Sequence, residues 1–179
     1  MPLTKDEKNT LLRIARDAIE AKVSGARAPA EAIESSALKS DSGAFVTLHR
    51  FGDLRGCIGT FASPEPLYIT VRDMAVAAAA KDPRFIPVRP NELKEIEIEI
   101  SVLSPLREIK DPKEIEVGRH GLYIVKGRQR GVLLPQVAIE QGYDRLKFLD
   151  ATCLKAGLAP GNWKADDATI FVFETEIFK

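Results

Sequence analysis

The sequence predicts an α+β fold: two repeated β-α-β halves building a mostly antiparallel, barrel-like sheet, with helices outside and a central cleft between two hairpins. Three observations carry this. Residues 44–102 run as hairpin, helix and strand, and residues 121–177 run as hairpin, helices and strand, with little letter-for-letter similarity between the two stretches. Ile96, Ile98, Ile100 and Val102 alternate with Glu97, Glu99 and Ser101, the period-two pattern of a half-buried strand. The 179 residues are 45% hydrophobic, enough to bury about 70% of the unfolded surface, which predicts one domain over residues 1–179.

In chain order, Thr4 to Lys22 opens with Thr4 and Glu7 at capping-box spacing and sets Leu11, Ala15, Ala18 and Ile19 on one stripe, an amphipathic helix. Ser24 to Ser42 is rich in Ala, Ser, Gly and charge, with one apolar pair, Ala32 and Ile33; it reads as an irregular crossing with room for a short helix. Ala44, Val46 and Leu48 alternate with Phe45, Thr47 and His49, and a turn at Arg50-Phe51-Gly52-Asp53 leads into a strand from Leu54 to Phe61. This predicts a hairpin that His49 closes as a surface or edge residue. Ser63 as N-cap, with Pro64 and Pro66 in the first turn, opens a helix whose Leu67, Val71, Met74, Ala75 and Ala78 share a face until Asp82-Pro83 stops it. After the strand at 96–102, Pro105 to Gly118 reads as turns around a short extended or helical piece. Gly121 to Lys126 and Val132 to Leu134 flank a charged turn, Gly127 to Gly131, as a second hairpin. Pro135 starts a short helix that Gly142 ends; Asp144 caps another, with Leu146, Leu149 and Cys153 as its stripe and Gly157 as its stop. Thr169 to Ile177 reads as one final strand.

Composition excludes several function classes. Twenty-six basic residues balance 26 acidic ones, which excludes a polybasic binder that works by phosphate neutralisation. The longest apolar run, Met74 to Ala80, is too short to span a bilayer, and the opening MPLTKDEKNT lacks a signal pattern, so no membrane association and a cytoplasmic location are expected. Cys57 and Cys153 are too few for a disulfide framework and are expected to be free thiols. Without HExxH, paired CxxC or DxDxDG no metal site is indicated, and without GxGxxG, Walker A or GxSxG no nucleotide cofactor or serine-hydrolase elbow is; no cofactor is expected.

The densest chemical signal is Leu54-Arg55-Gly56-Cys57-Ile58-Gly59-Thr60. Alternation puts Arg55 and Cys57 on one face, and Gly56 and Gly59 leave the backbone open to a ligand or another strand. A guanidinium beside a thiol favours the thiolate, making Cys57 a candidate nucleophile, metal ligand or redox-sensitive group. The packing alternative makes the glycines a bulge, Cys57 a small buried hydrophobe and Arg55 the partner of a strand glutamate. His120, between Gly118 and Gly121, is either a turn residue or a ring reaching into the cleft. In Asp82-Pro83-Arg84, either local hydrogen bonds hold a rigid turn or Arg84 faces an anion. Arg119, Lys126, Arg128, Arg130, Arg145 and Lys147 form a basic region around the second hairpin; without interleaved exposed aromatics, nucleic acid is a disfavoured partner. Trp163 is a lid on the core or a stacking surface.

The heptapeptide LRGCIGT, preceded by GAFVTL and followed in order by DPRFIPV, ELKEIEIEISVLSP, GRHGLYI, VLLPQVAIEQGYD and FLDATCLKAGL, resembles the signature of the AMMECR1 domain family, with Tyr143 where a Trp is expected. The resemblance implies a larger and a smaller subdomain, the N-terminal helix and C-terminal strand packing with the larger one, and LRGCIGT facing the cleft. It further implies a protein of unsettled molecular activity, similar to the component that accompanies a Memo-like and a radical-SAM protein in bacteria and archaea. Joined to the residues above, this gives two expectations. One is an enzyme or enzyme accessory binding a small anionic or peptide ligand through Arg55, Gly56, Gly59 and Arg84, with Cys57 and His120 as reactive groups. The other is a non-catalytic adaptor docking a protein through the basic hairpin. No homo-oligomeric state is implied.

Overall fold

The computed structural model describes residues 2–179. Its strands are β1 (Ala44–Arg50), β2 (Asp53–Thr60), β3 (Ile96–Leu103), β4 (Arg107–Ile109), β5 (Gly121–Lys126), β6 (Gln129–Leu133), β7 (Ala168–Phe173) and β8 (Thr175–Phe178). Its α-helices are α1 (Lys5–Ser24), α2 (Leu67–Ala80), α3 (Pro135–Glu140) and α4 (Arg145–Lys155). The chain forms two compact units, one running to Leu103 and regaining Glu176–Lys179, the other Ser104–Thr175.

The α+β class holds, but the strands form two four-stranded antiparallel sheets, ordered β2-β1-β3-β8 and β4-β7-β5-β6, instead of one barrel-like sheet. The reason lies at Glu174, inside the segment read as one final strand. Its amide donates to Ser104 Oγ at 2.9 Å and its carbonyl accepts from the Ser104 amide at 2.9 Å, so the ladder stops at Phe173 and β8 adds to β3 in the first sheet. The repeat itself is clear in the topology. In each sheet a hairpin's first strand lies centrally, the strand after the helix pairs on its other side, and a strand from elsewhere in the chain closes the row.

In the first unit Thr4 caps α1 and forms the expected capping box with Glu7. Leu11, Ala15 and Ile19 then meet Val71 and Ala75 of α2 and the inward faces of β1 and β3, Val46, Leu48, Ile98 and Ile100, in one buried core. The start of α2 differs from expectation. Pro64 and Pro66 lie outside it because Pro66 is extended (φ −49°, ψ 143°) and bridges to Asp41; Ser63 Oγ accepts from the Glu65 amide, so Leu67 is the first helical residue. His49 lies on β1, which is flanked on both sides, so it is not on an edge strand; its Nε2 is shielded from solvent with no hydrogen-bond partner among the described residues.

In the second unit the core joins Ile109, Leu122, Ile124, Ile170 and Val172 to Phe148, Leu149 and Cys153. The expected stripe of α4 is displaced: Leu146 is exposed and Phe148 is fully buried. The second hairpin is tighter than expected, since Gln129 to Gly131 pair with β5 and leave only Gly127 (φ +57°) and Arg128 as the turn. No helix among the described residues is long and apolar enough to cross a membrane.

Candidate functional site

β2 is one of the two edge strands of the first sheet, and a bulge interrupts it where chemistry was expected. Leu48 lies opposite Gly56 but His49 lies opposite Leu54, so Arg55 is an additional residue and simple alternation from Arg55 to Cys57 fails. The Arg55 guanidinium is engaged by Glu92 of the 3-10 turn Pro90–Glu95, with Nε 2.9 Å from Oε1 and Nη2 3.0 Å from Oε2. Arg50 donates to the same carboxylate at 3.2 Å. The hydrogen bonds from Arg55 hold the buried Glu92 carboxyl below its ordinary range, against the effect of burial. Gly56 is packed too: a Cβ there would lie 2.3 Å from the Ala78 carbonyl oxygen of α2. Gly59 lies under the Phe45 ring, whose Cδ1 would be 2.3 Å from a Cβ.

Cys57 differs from these neighbours. It is a free, half-buried thiol opposite Thr47, whose Oγ1 donates to Sγ at 3.3 Å. Its amide donates to Asp82 Oδ2 at 2.8 Å, and its carbonyl accepts from Arg84 Nη2 at 3.2 Å. Asp82, just past the end of α2, also accepts from the Arg84 amide (3.1 Å), Nε (2.9 Å) and Nη2 (2.7 Å). The bonds from Arg84 hold the Asp82 carboxyl well below the usual carboxylate range although burial opposes this, and the Cys57 amide adds to the effect. Asp82 in turn raises the pKa of Arg84, with a smaller contribution from Cys57. The Arg84 side chain is 54% exposed, and its Nη1 makes no hydrogen bond among the described residues. The site therefore presents an exposed cation and a thiol fixed on one strand edge. Asp-Pro-Arg at a helix end signals the turn, but nothing in sequence links it to an amide 25 positions earlier.

His120 belongs to the second unit. Its ring is buried; Nδ1 accepts from the Glu116 amide at 3.1 Å while its own amide donates to the Glu116 carbonyl at 2.9 Å, so the ring is tied to the turn that precedes β5. Cys153 is fully buried, and burial pushes its thiol pKa up. Trp163 packs against the second core and its Nε1 donates to Asp150 at 2.8 Å, as a lid. Much of the basic region is internally paired: Lys126 with Asn162 and Asp167, Arg119 with Glu116 and Glu174, and Arg145 with the Ile115 carbonyl. Arg128 and Arg130 are exposed and form no ion pair among the described residues. No group of three or more His, Cys, Asp or Glu able to hold a metal occurs among the described residues.

Fold and site together define an α+β protein of two topologically repeated units, with a free thiol on the Gly-rich edge strand of the first. Comparison with known proteins sharpens this. The AMMECR1 family model matches residues 12–178, and the chain belongs to that family. It is 43% identical to a Methanopyrus kandleri protein over 99% of this chain and 90% of that one, and 45% identical to a Thermococcus onnurineus protein over 94% and 88%. An uncharacterized Pyrococcus horikoshii protein of known crystal structure superposes with a TM-score of 0.78 at 40% identity, covering 93% of this chain and 88% of that one.

Proposed function

We propose that the protein binds a small anionic ligand at the Cys57 edge of β2, with Arg84 supplying charge and Cys57 the reactive thiol, as an enzyme or enzyme accessory acting beside Memo-like and radical-SAM proteins. One observation carries the reading: an exposed guanidinium is tethered by a buried carboxylate to the backbone of an accessible cysteine. A small anion is favoured over an extended peptide. A peptide adding to β2 as a further strand would need the Cys57 amide and carbonyl, and Asp82 and Arg84 already occupy both. Arg55 and Gly56 then support the strand from within, through Glu92 and Ala78.

The test is alkylation of Cys57, located by peptide mapping, with anionic iodoacetate and neutral iodoacetamide. The thiolate displaces iodide in both, so the rate ratio reports the local attraction for anions. Arg84→Ala is expected to lower the iodoacetate-to-iodoacetamide ratio about fivefold, the scale of one unit charge at contact in water; equal ratios in the two proteins would remove the proposal. The exposed, unpaired Arg128 and Arg130 favour a second reading, an adaptor that docks an acidic partner protein on the β5–β6 hairpin. In that case Arg128→Glu with Arg130→Glu abolishes salt-sensitive association with Memo-like or radical-SAM proteins, and unchanged association excludes it.

A further inference from the structure

We infer that Asp82 is the positioning residue of the Cys57 site, an inference that rests on the anion-binding reading above. Its side chain is 1% exposed, and each of its hydrogen bonds goes to Cys57 or Arg84. A rigid Asp-Pro-Arg turn needs only the bonds to Arg84. The bond to the Cys57 amide joins two distant segments and has no part in making that turn.

The location on an edge strand explains what the bond does. The amide and carbonyl of Cys57 point away from β1, where another strand would otherwise pair. Asp82 takes the amide and Arg84 the carbonyl, so the pair stands in for a neighbouring strand one residue long. This fixes the backbone that carries the thiol. It also fixes the guanidinium, since Nε and Nη2 bridge both carboxylate oxygens and the group lies over the Phe85 ring at 5.5 Å. Only Nη1 is left for an incoming anion. A buried carboxylate is retained where charge and hydrogen bonds compensate its desolvation, and here the compensation sets the relation between cation and thiol.

The experiment uses the same alkylation ratio on the full chain. Asp82→Asn is expected to lower the iodoacetate preference about fivefold, to the Arg84→Ala value, because the released guanidinium swings into solvent. Were Arg84 held in place without Asp82, removing a nearby negative charge would raise the preference instead, so a raised or unchanged ratio overturns the inference. Arg84→Lys keeps the charge but cannot bridge two oxygens, and is expected to lose the preference as well. A wild-type ratio in Arg84→Lys overturns the inference even where Asp82→Asn fails to fold. A native ratio equal to that of Arg84→Ala removes the anion-binding reading itself, whereas a native preference that survives in Asp82→Asn removes only the role of Asp82.

Discussion

The two units solve one packing problem in the same way and differ at the position beside it. In the first, Gly56 lies opposite Leu48, which lies opposite Ile98; in the second, Gly131 lies opposite Ile124, which lies opposite Ile170. Each glycine sits under a helix of its own unit, Gly56 under α2 and Gly131 under α4: a Cβ on Gly56 would be 2.3 Å from the Ala78 carbonyl oxygen, and one on Gly131 would be 2.4 Å from that of Thr152. One residue on, the likeness ends. Cys57 faces Thr47 and is clamped by Asp82 and Arg84, whereas Val132 faces Tyr123 and has no such clamp among the described residues. The bulge at Arg55 also has no counterpart, because the β5–β6 ladder runs without a break. What both units share is packing. What only the first carries among the described residues, a half-buried thiol whose backbone is joined to a buried carboxylate and an exposed guanidinium, is the candidate chemistry.

The largest expected effect tests the shared half of this comparison. Gly56→Ala and Gly131→Ala each push a methyl group against helix backbone that has no flexible end to move, and each is expected to cost about 3 kcal/mol in urea unfolding. A tolerated alanine at Gly131 beside a disruptive one at Gly56 would break the equivalence and return Gly56 to the site.

A smaller effect sharpens the unshared half. Asp82→Asn leaves the Cys57 amide and the Arg84 fork with a poorer acceptor, at a cost of about 2 kcal/mol. The acid limb gives the sign. The folded pKa of Asp82 is depressed, so the unfolded chain binds the proton more readily. Its stabilisation is therefore complete above the unfolded carboxyl value near pH 4 and is lost as pH falls through the lower folded value. Glu92, depressed chiefly by Arg55, works in the same direction and window. Chemical denaturation between pH 6 and about pH 2.5 should show a shallower acid loss in Asp82→Asn than in the native chain; parallel curves would mean that the Asp82 interactions do not differ between the folded and unfolded states.

These contrasts show what the sequence made legible. Period-two alternation located β1 and β3 closely, because each buries one face on a single core; the charged turn located β5, and the Thr4–Glu7 box located α1, because turns and caps are local. Whatever depends on a distant partner was not visible. Glu174 stops β7 only because Ser104 meets it, and Leu146 yields the core to Phe148 because the sheet decides which side of α4 is covered. At the site, LRGCIGT lies on β2, as its strand length and composition led one to expect. Its bulge reassigns Arg55 to Glu92, and the cation that meets Cys57 is Arg84, from another segment.

The smallest effect separates the two cysteines, one in each unit. Cys153 is enclosed by Phe148, Leu149 and their neighbours, and burial raises its thiol pKa, so it should react with a disulfide reagent only at the rate of unfolding. Cys153→Ala opens a small cavity and should cost about 1 kcal/mol. Cys57 is half-buried and its side chain meets Thr47 Oγ1 and the exposed Arg84 side chain, so Cys57→Ala should change stability by no more than about 0.5 kcal/mol while removing the fast-reacting thiol. Two thiols titrating together in the native protein would contradict the division between a packing cysteine and a site cysteine. One fast and one slow would place the accessible chemistry in the unit that also carries Asp82 and Arg84.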